Sequence, residues 1–151
     1  MKRIILTLSI VVTALVACKN EHPDLKTAFD LFKDAQSTRQ NIITTSADLK
    51  NQAKMVDGKI RNEDEESVFA ISEVYNHLEF VEKGLGKLAG RERAVPGHEK
   101  ESGGAPAIEG KLGPSEVLML QKNYRDSILL IKNDLDAAAT LLNHLKTKFN
   151  Q

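Results

Sequence analysis

The chain has no tryptophan, and aromatic residues make up only 5% of it. Platforms on which bases or sugars stack are therefore scarce, which counts against single-stranded nucleic-acid binding. Neither sign of charge is in excess, since 21 Lys and Arg face 21 Asp and Glu. No basic stripe marks a surface for nucleic acid or anionic lipid, and no nucleic-acid partner is expected. Cysteine occurs once, at position 18, so no disulfide can form within the chain. Stability must come from packing. A hydrophobic fraction of 41% in 151 residues supports one core of single-domain size.

What the chain does have begins at its N-terminus. Lys2 and Arg3 precede a largely apolar stretch from Ile4 to Ala17, interrupted only by Thr7, Ser9 and Thr13. This matches the positive and apolar regions of an export signal, and it falls short of the roughly 20 residues a membrane-spanning helix needs. Removing residues 1–17 leaves 19 basic residues against 21 acidic ones, a net charge of −2. The apolar stretch ends in Leu15-Val16-Ala17-Cys18, which resembles the lipobox of bacterial lipoproteins. The resemblance covers the first 18 residues. It implies that residues 1–17 are a cleaved signal peptide and that Cys18 becomes the first mature residue. Its thiol would carry a diacylglyceryl group, and its amine commonly a third acyl chain. Each buried methylene contributes about 0.8 kcal/mol, so two or three chains hold a protein at a membrane where one does not. Lys19 stands where enterobacterial lipoproteins retained in the inner membrane carry Asp. The expected location is therefore the outer membrane, facing the periplasm. Residues 18–23 form a short lipidated tether.

From residue 24 the pattern is helical. Pro23-Asp24 supplies a start, with Asp24 as N-cap. Small or apolar residues then recur at spacings of 3 and 4: Leu25, Ala28, Phe32, Ala35, Ile42, Leu49, Ala53 and Val56, with Arg39 and Ser46 interrupting. Asp57-Gly58 ends this first helix, 24–57. Asn62 and Glu65 resemble a capping box opening a second helix, 62–89, with the seam Ile71, Val74, Leu78, Val81, Leu85 and Leu88. Gly84 and Gly86 weaken its last turns by roughly 1 kcal/mol each relative to Ala. Ser115 is read as N-cap of a third helix, 115–149. Its seam is Val117, Leu120, Tyr124, Ile128, Ile131, Leu135, Ala138, Leu142, Leu145 and Phe149, with one irregular step at Tyr124. Leu118, Leu129, Leu130, Ala139 and Leu141 widen its stripe, as suits a helix packed against two others. The expected fold is all-α: an elongated antiparallel three-helix bundle over 24–149, with coiled-coil-like seams.

Residues 90–114 break the periodicity. They hold six of the nine glycines and three of the four prolines. A loop this long exceeds what a helix hairpin needs, which makes it functional, mobile or both. Its plainest explanation is a floppy insertion. The order of long helix, helix, Gly/Pro-rich loop and a helix opening PSEVLMLQKNYRDSILLIKNDL is similar to the first periplasmic domain of the core subunit of the gliding-motility and type IX secretion motor of Bacteroidetes. The similarity spans 24–149 and rests on that order and on Tyr124-Arg125. That family adds a transmembrane helix and further periplasmic domains, which this chain does not match.

No pattern of catalysis or metal binding stands out. His22, His77, His98 and His144 fit no HExxH-type spacing. Glu73 and His77, four apart on a helix, are explained by a solvated surface pair. The acidic run Glu63–Glu66 is explained by helix capping. Gly84-Leu85-Gly86 lacks the strand that precedes a phosphate loop. Arg39 and Ser46 set register or turn to the bundle edge unless they meet a buried ligand or partner. The expected protein is a lipid-anchored, non-enzymatic scaffold or interaction module without cofactors. Its membrane contact is acylated Cys18, and a protein partner would dock on the third helix or the loop. The seams also admit a homo-oligomer. The alternatives are a lipoprotein holding an apolar small molecule between its helices, and an accessory part of a secretion or gliding motor.

Overall fold

The computed structural model describes residues 21–60 and 64–149. The signal-like segment, Cys18 and Asn62 lie outside the described residues. Among the described residues three α-helices make the fold: α1 spans Pro23–Asp57, α2 spans Glu65–Leu88 and α3 spans Pro114–Phe149, with a short 3-10 turn at Glu99–Glu101. At 1.5 Å per residue, the 35 residues of α1 and 36 of α3 each extend for about 50 Å. Among the described residues there is no strand longer than an isolated bridge between Ala94 and Ala107. The protein is an all-α three-helix bundle.

Side-chain bonds give the directions. Between α1 and α3, Ser115 bonds Asp24, Arg125 bonds Asp34 and Lys146 bonds Gln52, at nearly constant sequence separations of 91, 91 and 94. A constant separation means parallel helices. Between α1 and α2 the separation widens from 18 at Tyr75–Asp57 to 32 at Lys50–Glu82. Between α2 and α3 it widens from 57 at His77–Asp134 to 84 at Lys148–Asp64. Those two pairs are antiparallel. The bundle runs up, down, up.

The core follows the seams, with Leu25, Leu85 and Phe149 only half-buried and three further differences. Gln121 is fully buried and Leu120 only half-buried, so the α3 seam runs Val117, Gln121, Tyr124, Ile128 without an irregular step. Phe29 is buried beside Phe32, although it lies off the expected α1 stripe. Leu130 points outward and is 68% exposed, so it widens nothing. The side chains of Phe32, Ile42, Val74, Val81, Ile128, Leu142 and Leu145 are essentially sealed from solvent. Burial of a side chain this size contributes about 1.5–3 kcal/mol.

The helix starts differ from the sequence reading. His22, not Asp24, caps α1: its Nδ1 accepts from the Asp24 backbone N–H at 3.2 Å, while Pro23 sits at the first helical position and surrenders no bond there. Asp64 caps α2, accepting from Ser67 N–H at 3.2 Å, so Glu65 is the first helical residue and not the far half of a box. Ser115 is already inside α3 and donates to Asp24. Glu116 instead reaches back to the Gly113 N–H at 2.7 Å, the reciprocal half of a capping box.

The long loop is built rather than floppy. Val95-Pro96-Gly97-His98 makes a turn closed by His98 N–H to Val95 O at 2.9 Å, with Gly97 at φ +89°. Pro then Gly at the two central positions is the chemistry of a type II turn, whose third residue needs positive φ. Ala94 N–H donates to Pro106 O at 2.8 Å, tying the two arms of the loop together. Val95 joins Ala28, Phe29, Phe32 and Val117 in a second apolar cluster, flanked by Leu25, Ala105, Ile108 and Leu118. The loop thus takes the place of α2 over the first turns of α1 and α3, and this cover buries Phe29.

Candidate functional site at the loop-capped end

A group of polar side chains interrupts the core near the loop-capped end. On α1 it falls at Arg39, between Ala35 and Ile42 of the main core. Arg39 Nη1 meets Glu92 Oε1 of the loop at 3.2 Å, and both side chains are largely covered. On α3 it falls at Gln121, whose amide donates to the Arg93 carbonyl at 2.8 Å, and at Tyr124. Arg39 Nε, Glu92 Oε2, Gln121 Oε1 and Tyr124 OH are buried without a protein partner. Burial, followed by the nearby Glu92 charge, pushes the Tyr124 phenol above its ordinary pKa, while Arg39 opposes this. The phenol therefore stays neutral at physiological pH, with its hydrogen-bonding capacity unused by the protein.

Beside this group a cleft of about 280 Å³ opens to the surface. Gln36, Arg39 and Glu92 line it together with Gly90, Gly103, Gly104, Ala105 and Pro106. Charges of both signs share its wall, so neither an anion nor a cation finds a one-signed site there. Arg39 thus turns to the first residues of the loop rather than to the bundle edge. Ser46 is half-buried, and its hydroxyl donates to Ile43 O at 3.0 Å, within its own helix.

A second polar group lies at the same end. His98, set by the Val95–His98 turn and by the Ser102 hydroxyl on its carbonyl at 2.7 Å, stacks on Phe29 with ring centroids 3.9 Å apart and planes within 8°. Its Nδ1 lies 2.9 Å from Glu101 Oε2, and its Nε2 bonds Glu21 Oε1. The Glu21 and then the Glu101 carboxylate hold the imidazole pKa above its ordinary value, against a smaller effect of burial. Sequence reading missed His98 because its partners lie 77 residues back and three ahead, with no spacing signature.

The other histidines scatter. His77 leaves Glu73 to Asn76 and faces Asp134 across the α2–α3 interface at 3.1 Å, so the expected Glu73–His77 surface pair does not form. His144 lines a shallow groove with Glu66, Thr147 and Lys148 near the opposite end. Among the described residues, no three His, Cys, Asp or Glu side chains are grouped to hold a metal ion, and no helix is long and apolar enough to cross a membrane. Cys18 lies outside the described residues, but Glu21, three positions on, is held at the loop-capped end. Comparison with protein-family models, with curated proteins and with solved structures finds no match to this chain.

Proposed function

We propose that the protein is a lipid-anchored, non-enzymatic envelope lipoprotein that serves as a periplasmic scaffold or protein-interaction module. The observation that carries this reading is Leu15-Val16-Ala17-Cys18 closing an apolar run behind Lys2-Arg3. Two or three acyl chains on Cys18 give stable membrane attachment. The bonded serine hydroxyls support a non-catalytic role: those of Ser46, Ser102 and Ser127 donate to backbone carbonyls, those of Ser67 and Ser115 to carboxylates. The largely polar lining of the cleft beside Arg39 favours a scaffold over a holder of apolar ligands.

Metabolic palmitate labelling tests the anchor. Label is expected on the wild-type chain and absent from Cys18→Ser; label retained by the variant refutes the lipobox reading. Crosslinking in intact membranes followed by identification of adducts tests the scaffold. A reproducible protein adduct is expected, and a chain that crosslinks to nothing refutes it. Because Glu21 sits against the loop, the acylated end and the loop share one end of the bundle. A fluorophore on Lys100→Cys is therefore expected to be quenched by headgroup-bound quencher more strongly than one on His144→Cys. The reverse order would overturn that orientation.

A further inference from the structure

We infer that His98 is a protonation-operated latch that fastens the segment entering α1 to the 90–114 loop. The geometry requires two donors on one ring. Nδ1 faces Glu101 and Nε2 faces Glu21, and both partners are carboxylates that only accept when ionised. A neutral imidazole has a single N–H, so it leaves one of the two carboxylates against a lone pair. Only the imidazolium satisfies both.

The surroundings favour the charged ring. Glu21 comes from the segment before α1, and Glu101 from the turn that follows His98. Glu99 lies in that same turn, its carboxylate bonded to the Gly97 N–H at 3.0 Å and feeling the His98 charge. From α1, the Phe29 face stacks on the ring, a setting that stabilises a cation. The opposing charge is Lys33, whose Nζ sits 4.6 Å from the Phe29 ring centroid. Three carboxylates against one ammonium leave the balance with the imidazolium.

Loss of the proton unfastens the two sides unequally. Glu101 stands on the same bonded turn as His98, three residues on, whereas Glu21 stands outside the helices, on the segment before α1. The single remaining N–H therefore keeps Glu101, and Glu21 is released. The latch rests on residues 21, 29, 98 and 101 alone. Joined to the proposed acylation of Cys18, it decides whether the chain between lipid and bundle ends at residue 21 or at the first turn of α1. Low pH draws the loop-capped end toward the anchor, and higher pH lengthens the tether.

NMR on the full chain in detergent micelles tests this between pH 5 and 9. The His98 ring is expected to titrate above the ordinary value of about 6.5, and Glu21→Gln is expected to lower its midpoint by on the order of one pH unit. The backbone order of residue 21, read from 15N relaxation, should fall through the same midpoint while α3 resonances stay in place. An ordinary His98 midpoint indifferent to Glu21→Gln overturns the proposal. A raised midpoint with unchanged order at residue 21 also overturns it, because the ion pair would then exist without acting as a latch. Glu101→Gln is the control, and it should lower the midpoint without loosening residue 21 at low pH.

Discussion

Gly84 of α2 stands so close to Ile131 of α3 that a β-carbon built on it would lie 2.7 Å from Ile131 Cγ1 and 3.0 Å from Cδ1. Gly86, one turn position away, has nothing within 4 Å of the same imagined atom. Two glycines that look alike in the sequence should therefore respond in opposite directions to the same change. Gly86→Ala gains helix propensity worth roughly 1 kcal/mol and should raise the urea midpoint. Gly84→Ala gains the same propensity but overpacks the interface, which costs about 1–3 kcal/mol, so its midpoint should fall or at best stay level. Adding Ile131→Ala to Gly84→Ala should cost less than Ile131→Ala alone. Equal gains from both glycines would show that Ile131 yields freely.

Arg39 and Glu92 carry the junction between the main core and the loop. Glu92→Ala strands a largely covered guanidinium, and an unpaired buried polar group costs about 1–3 kcal/mol. Replacing both residues, as Arg39→Leu with Glu92→Ala, removes the stranded charge and should recover part of that loss. A double-mutant cycle by urea denaturation measures the coupling. Additive losses would mean that the pair contributes only its separate contacts and that the loop is held by Val95 and Gln121.

Asp64 ties the start of α2 to the end of α3. The Lys148 ammonium first, and then the Ser67 hydroxyl, hold its carboxyl below the usual carboxylate range. A carboxylate lowered on folding stabilises the protein fully above its unfolded pKa of about 3.9 and loses that contribution as pH falls through the folded value. Lys148→Met should therefore lower the urea midpoint by a constant amount above about pH 5, with the difference closing as the solution becomes more acidic. A difference that persists unchanged at pH 2 would assign the effect to packing of the lysine stem instead of to the ion pair.

Much of this bundle was legible in the sequence because apolar spacing reports directly on burial. Ile71, Val74, Leu78 and Val81 could be read as a face without any partner in view. The reading stopped where burial is decided by a polar residue or by a distant segment. Gln121 was passed over because an amide rarely fills a core position, yet the Arg93 carbonyl satisfies its nitrogen. Phe29 fell off the stripe because it packs beneath a loop and not against a helix, and loops leave no periodicity. The caps fall two residues from the expected ones because Asp24, Asn62 and Ser115 have the right chemistry, and only backbone direction chooses the position. The polar group at Arg39 and the His98 group combine residues more than 50 positions apart in the chain. No local spacing announces them.

The parallel run of α1 beside α3 has a mechanical consequence. α1 starts at one end of the bundle and α3 finishes at the other, so tension between the start of α1 and a load near His144 acts along the bundle's long axis. The cross-links from Ser115–Asp24 to Lys146–Gln52 then lie in shear and share the load together. They are not pulled open one after another. Tension applied in this way would be resisted over roughly 50 Å without opening the core.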